Sequence, residues 1–246
     1  MITFLSQYYT WRGLSLNSAG LPLLFAALIV MVIGLVAQAR VKSVFKKYSQ
    51  MRSGSGFTGE EAARELLRMN GSSVSVGRSR GSLTDNFNPR AGCVALSETV
   101  YSSDSVAALA VAAHECGHVM QYQDGYFGIK LRNFILPAAS FGSRFSYILV
   151  VLGLFLGSFG YYVSLLGVVL FGFVFLFQLI TLPVELNASR RALDMLTSAG
   201  FISGREGENA ARKVLNAAAF TYFVSTLASA VTFLRLLAMI SGRRRR

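Results

Sequence analysis

The sequence predicts a mainly α membrane protein: about three to four transmembrane or membrane-packed helices, with a small α+β domain built on a helix carrying His114-Glu115-Cys116-Gly117-His118. Three observations carry that prediction. Hydrophobic residues make up 53% of the chain and charged residues only 15%, against about a quarter charged in soluble domains, so apolar surface is hidden in something besides the chain's own core. The run Leu21–Ala39 holds no charge and, at about 1.5 Å per helical residue, approaches the ~30 Å of a hydrocarbon core. Between it and the next long apolar run, the pattern changes to that of a folded domain, with caps, short alternating segments and turn formers.

Taken in order, residues 1–40 form an N-terminal transmembrane anchor. Polar Asn17 and Ser18 precede the apolar run, and Arg40, Lys42, Lys46 and Lys47 follow it. Only Arg12 stands on the other side, so the positive-inside rule places the C-terminal flank in the cytoplasm. No basic n-region or small-residue cleavage site marks a secretory signal, so the run is read as retained.

Residues 41–144 form the soluble domain with the histidine helix. Ser53-Gly54-Ser55-Gly56 is a flexible link, and Thr58 with Glu61 makes a capping box for a short amphipathic helix to about Met69. Ser73–Val76 and Cys93–Leu96 read as strands, separated by the turn-rich segment Asp85–Gly92. Asp104 is the expected N-cap of a helix from Ser105 to about Gln123.

Residues 145–184 are free of charge, and roughly forty helical residues would span about 60 Å, so two crossings are needed. The stretch Gly157–Tyr162 is the expected turn. Residues 185–213 are polar and begin a helix at Glu185, after Pro183. Residues 214–246 contain the apolar run Leu215–Ile240 and the basic tail Arg243–Arg246. Arg235 inside the run, and the placement of the tail, favour a packed or interfacial helix or a hairpin over a full crossing.

The formal charge is +12. Because the cations cluster beside apolar runs, they read as contacts to anionic lipid headgroups, and no nucleic-acid partner is expected. Cys93 and Cys116 are too few for a disulfide framework and read as free thiols in a reducing compartment.

The chemistry lies in the histidine motif. His114 and His118 stand four residues apart, so on a helix both rings project from one face and can bind a single Zn²⁺ ion. Glu115 would then lie beside a water acidified by the metal and act as general base. The chain's only two histidines both fall in this pattern. The bland alternative is a core helix with two hydrogen-bonded histidines. A catalytic zinc usually has three protein ligands, and without a third histidine the last must be Asp, Glu or Cys. Glu185 is the leading candidate, since two crossings between His118 and Glu185 would return the chain to the same side. It could instead be a carboxylate stabilised at a helix N-terminus. Cys116, two residues from each histidine, points off their face and reads as a packed thiol.

Several stretches in order carry a resemblance: Leu83-Thr84-Asp85-Asn86-Phe87 with Asn88-Pro89-Arg90, Ser105–Ala108, Ala112–His118 with Gln121, Gly125-Tyr126, Leu131-Arg132, Gly142-Ser143, and Leu182–Arg191. Over roughly Phe57 to Leu193 the chain resembles bacterial membrane-bound neutral zinc metallopeptidases of the YugP type, a gluzincin-like group similar in layout to the HtpX-type peptidases. The resemblance implies a zincin-like α+β domain, His114, His118 and Glu185 as zinc ligands, and Glu115 as general base. It further implies a peptide or protein substrate, including membrane proteins, and a multi-pass protein of the bacterial inner membrane whose site faces the cytoplasm. By the same analogy, strand Cys93–Leu96 would be the edge that aligns an extended peptide. Gluzincins of this layout often carry Asp four residues after the glutamate. Here the position is Ser189, which could still bond a ligand histidine.

Two other functions stay open on the residues alone. One is intramembrane cleavage, for which the polar flanks of the motif helix and Leu193-Asp194-Met195 are a poor match. The other is a catalytically silent scaffold with a structural or lost metal site.

Overall fold

A computed structural model describes residues 20–157 and 159–241 of the chain. The expected N-terminal flank with Arg12, Asn17 and Ser18, and the tail Arg243–Arg246, lie outside the described residues. In chain order the elements are α1 (Gly20–Tyr48), α2 (Gly59–Met69), β1 (Ser75–Ser79), β2 (Asn86–Asn88), β3 (Cys93–Ser97), α3 (Glu98–Tyr101), α4 (Val106–Gln123), α5 (Phe127–Phe155), α6 (Gly160–Ser198) and α7 (Gly204–Ser241). Helices α1, α5, α6 and α7 are each long and apolar enough to cross a membrane.

Two compact units share these helices. The first contains residues 20–34, 132–179 and 224–241. In it α5 ends at Phe155 and α6 begins at Gly160, so the break between them overlaps the stretch Gly157–Tyr162 where the sequence places a turn. Small residues let the two backbones touch: a Cβ on Gly142 would run into the Leu170 carbonyl, and one on Gly167 would sit 2.6 Å from that of Ser146. Val150, Val168, Phe171, Leu236 and Ile240 form the buried cluster of this unit. Its outer surface is apolar, with Ile29 60%, Phe134 82% and Phe155 81% exposed, as expected of helices whose solvent is lipid.

The second unit contains residues 35–131 and 180–223. Helix α4 is its centre. Val106 to Ala110, Ala112, Ala113, Cys116 and Val119 are buried, and a helix apolar all round must be covered on every side. Helix α2 covers one side with Ala62, Ala63, Leu66 and Leu67. It starts at the expected capping box: Thr58 Oγ1 accepts from Glu61 N–H at 3.3 Å, and Glu61 Oε2 accepts from Thr58 N–H at 2.8 Å. The sheet has the order β1-β3-β2, with β3 parallel to β1 and antiparallel to β2.

Several expectations change. Strand β1 lies at Ser75–Ser79, later than Ser73–Val76, in the register Ser75↔Cys93 to Ser79↔Ser97. The turn-rich segment holds a strand, β2, before its turn: Asn86 pairs with Ala95, and Asn88 Oδ1 then accepts from the N–H groups of Arg90 and Ala91 at 3.0 and 3.1 Å. Strand β3 is therefore the middle strand and not an edge, because both its sides are already hydrogen-bonded. The Ser53–Gly56 link is pinned, with Ser53 N–H bonded to the Asp104 carbonyl at 3.0 Å and Gly54 bridged to Ile202.

The N-cap of α4 is Ser105 and not Asp104. Ser105 Oγ accepts from Ala108 N–H at 3.2 Å, while the Asp104 carboxylate turns outward to Arg52. Glu185 does not open a helix, because α6 runs unbroken through Pro183. The lost proline N–H is outweighed by the buried stripe Val184, Ala188, Ala192 and Leu196, whose spacing of four holds the helix together across it. Helix α7 is continuous from Gly204 to Ser241, which rules out a hairpin within Leu215–Ile240.

Helices α4 and α6 meet where the Gly117 Cα faces the Ala188 backbone. A Cβ there would be 2.6 Å from the Ala188 carbonyl oxygen. Gly117→Ala should therefore cost ~1–3 kcal/mol by overpacking, seen as a lower melting temperature in detergent. Gly207→Ala, whose added Cβ would meet nothing closer than Ile202 at 3.6 Å, should be neutral or stabilising; equal melting of the two variants would refute the close crossing. Ser105→Ala should lose about 1 kcal/mol, and Asp104→Ala distinctly less, in the same measurement.

Candidate metal centre

The turn spacing of α4 puts His114 and His118 on one face, with ring centroids 4.8 Å apart and planes at 84°. The Gly117–Ala188 crossing brings α6 against that face. There Glu185 Oε2 lies 3.2 Å from His114 Nε2 and 3.4 Å from His118 Nε2. The three ligand atoms all fall within 4.8 Å of one another, and His118 and Glu185 are buried.

The donor set fits a divalent metal. Four ligands at ~2.0–2.1 Å in a tetrahedron stand about 3.3–3.4 Å from each other, close to the two nitrogen–oxygen separations found here. The hydrogen bonding adds a chemical reason. Gln121 Nε2 donates to the Val184 carbonyl at 2.8 Å and to Asn187 Oδ1 at 2.9 Å, which turns its Oε1 toward His118 Nδ1 at 3.0 Å. Nδ1 must then be the donor, so in the neutral ring Nε2 is a lone pair aimed at a carboxylate oxygen. Two acceptors in contact need a cation between them, either a proton or a metal. Ser189 Oγ stands 3.2 Å from His114 Nδ1, the contact anticipated for this residue, and likewise leaves Nε2 facing Glu185.

Around this set, Asn187 also accepts from Arg191 Nε at 3.0 Å, and Arg191 pairs with Asp124 at the end of α4. The result is a continuous chain from a surface ion pair to His118. Gln121 and Asn187 entered the sequence reading only within matching stretches. The signal was available in spacing: Gln121 lies one turn beyond His118, and Asn187 lies two residues beyond Glu185.

Glu115 is buried, and burial pushes its carboxyl above the ordinary glutamate range, with Glu185 and Asp85 adding to the rise and the two histidines opposing it. Asp85, which composition marked only as a turn former, accepts from Ser97 N–H at 2.7 Å and from Ser97 Oγ at 3.0 Å. Burial raises its pKa too. Together with Leu83, Val111 and Tyr222, the residues His114, Glu115 and Asp85 line a cleft of about 420 Å³. Its walls are mainly apolar side chains of α1 and α7. Cys116 faces away, buried against the Ala63 carbonyl, where burial pushes its thiol far above the usual range and leaves it inert.

Among known proteins, the chain is 44% identical over 225 residues to the "Putative membrane protease YugP" of Bacillus subtilis (strain 168), a match covering 90% of this chain and 99% of the relative. No solved structure matches it. Residues 23–241 match the family described as "Putative neutral zinc metallopeptidase", and the chain belongs to that family.

Proposed function

We propose that the protein is a membrane-bound zinc metallopeptidase that hydrolyses peptide bonds at the cytoplasmic face of a bacterial inner membrane. One observation carries the reading: two imidazole Nε2 atoms converge on one buried carboxylate oxygen, with Glu115 beside them at a cleft. His114, His118 and Glu185 hold the metal, as a gluzincin-like site on a zincin-like α+β domain. A zinc ion held there supplies Lewis acidity, polarising a peptide carbonyl and acidifying a water molecule.

The remaining work falls to the chain. Glu115 takes the proton of the attacking water and returns it to the leaving amine nitrogen; its burial-raised pKa suits both the acceptance and the return. Gln121 and Ser189 orient the two rings so that neither can turn its Nε2 away. The apolar cleft wall excludes bulk water and receives an apolar substrate segment. The outer strands β1 and β2, not β3, offer the sheet's edges to an extended peptide. The cytoplasmic placement is supported by Arg40, Lys42, Lys46 and Lys47 beyond the first apolar run. The four long apolar helices and the membrane-protease relative support the bilayer.

Glu115→Gln should keep stoichiometric zinc and lose peptide hydrolysis by at least about 10²-fold, measured on an unfolded protein substrate in detergent. Undiminished cleavage would remove Glu115 from the mechanism. Wild-type protein that binds no zinc would instead support the scaffold reading. Gln121→Met and Ser189→Ala should each weaken zinc affinity about 10–100-fold in a chelator competition, and unchanged affinity in both would show that the rings need no orientation.

A further inference from the structure

The helix pair α1–α7 has a second face. On one side Val41, Phe45, Leu215 and Tyr222 wall the cleft beside Glu115. On the other, Arg40, Val44, Lys47 and Tyr48 of α1 meet Lys213, Asn216, Ala217 and Phe220 of α7 around a cavity of about 420 Å³. Three cations, brought together from positions more than a hundred and fifty residues apart, thus converge on one concavity. Among the described residues none of the three is paired with a carboxylate. Lys47 Nζ lies 5.5 Å from the centroid of the Tyr48 ring, so the aromatic wall helps to hold its position. Like charges gathered at one concavity repel one another, and no carboxylate stands among the residues that line it to offset that cost; a bound anion would.

The kind of anion follows from what adjoins the cations. Helix α1 leaves its apolar run at this pocket and α7 enters its own there. Just beyond the cations stand exposed apolar side chains: Val36 on α1, one turn before Arg40, Phe223 on α7, and Phe220 at the rim, its ring stacked with that of Phe223 at 6.1 Å. A free phosphate or an acidic peptide would leave that ledge bare. An amphiphile with one phosphodiester charge and acyl chains satisfies both parts. We infer that this pocket is a binding site for the headgroup of an anionic phospholipid. Arg40 supplies the fork that matches a phosphate, Lys47 and Lys213 supply point charges, and the aromatic pair takes the first chain methylenes. A lipid seated there bridges the two helices whose opposite face is the cleft wall.

The test uses the full-length protein in neutral detergent micelles doped with phosphatidylglycerol, with phosphatidylcholine, or with inorganic phosphate and no lipid. Bound lipid is counted by mass spectrometry, and zinc content is measured on the same samples, so a failed lipid site and a failed metal site are separately visible. Phosphatidylglycerol should be retained saturably, and neither phosphatidylcholine nor inorganic phosphate should displace it. Arg40→Gln with Lys213→Gln should weaken retention about 25-fold, fivefold per cation or ~1 kcal/mol each, at unchanged zinc content. Arg90→Gln with Arg205→Gln removes the same charge from exposed positions outside the pocket and should change nothing. Equal loss in the two double variants, equal retention of phosphatidylcholine, or displacement by inorganic phosphate would overturn the site.

Discussion

The contact between the Gly117 Cα and the Ala188 backbone is the constraint on which the candidate metal centre depends. A side chain at 117 would separate α4 from α6, and Glu185 reaches the histidines only because that separation is absent. The contact is set three residues from Glu185 along one helix and one residue from His118 along the other, so a shift of even an ångström would be passed almost undiminished to the ligand atoms. Small buried residues flank it on both helices, Ala113 one turn before Gly117 on α4 and Ala192 one turn after Ala188 on α6. Small residues here serve geometry, at the expense of the apolar area that larger ones would bury.

The polar groups within the crossing follow from that closeness. A glutamate and two imidazoles buried together would be costly without partners; Ser189 serves His114 and Gln121 serves His118, and the Nε2 lone pairs so turned toward Glu185 leave a place for a cation among the three. Gln121 is in turn held by the Val184 carbonyl and Asn187, and Asn187 by Arg191. The network leaves little freedom to the ring tautomers and so presents a preformed donor set.

Local sequence rules read well where a single stretch carried the information. Thr58 and Glu61 formed the expected box, the break between α5 and α6 overlapped Gly157–Tyr162, and Ser189 met His114. They failed where two candidates competed or where packing intervened. Ser105 displaced Asp104 as the cap because Asp104 uses its carbonyl for Ser53 and its carboxylate for Arg52. Pro183 looked like a helix start, but the buried stripe from Val184 to Leu196 carried α6 straight through it. The edge role assigned to Cys93–Leu96 failed because strand order is not written locally: Asn86–Asn88, read as a turn, pairs along that side.

Spacing along the chain was enough for the histidine pair and its glutamate, since a helix of fixed pitch turns a separation of four into a shared face. Length and hydropathy were enough for the long apolar helices, because a bilayer has one thickness. The meeting of Glu185 with the histidines, the anchoring of Gln121 by Asn187, the entry of Asp85 into the cleft and the meeting of Arg40 with Lys213 depend on contacts between segments far apart in sequence. Those contacts are set by how closely helices can approach, a property of packed backbones that no periodicity encodes.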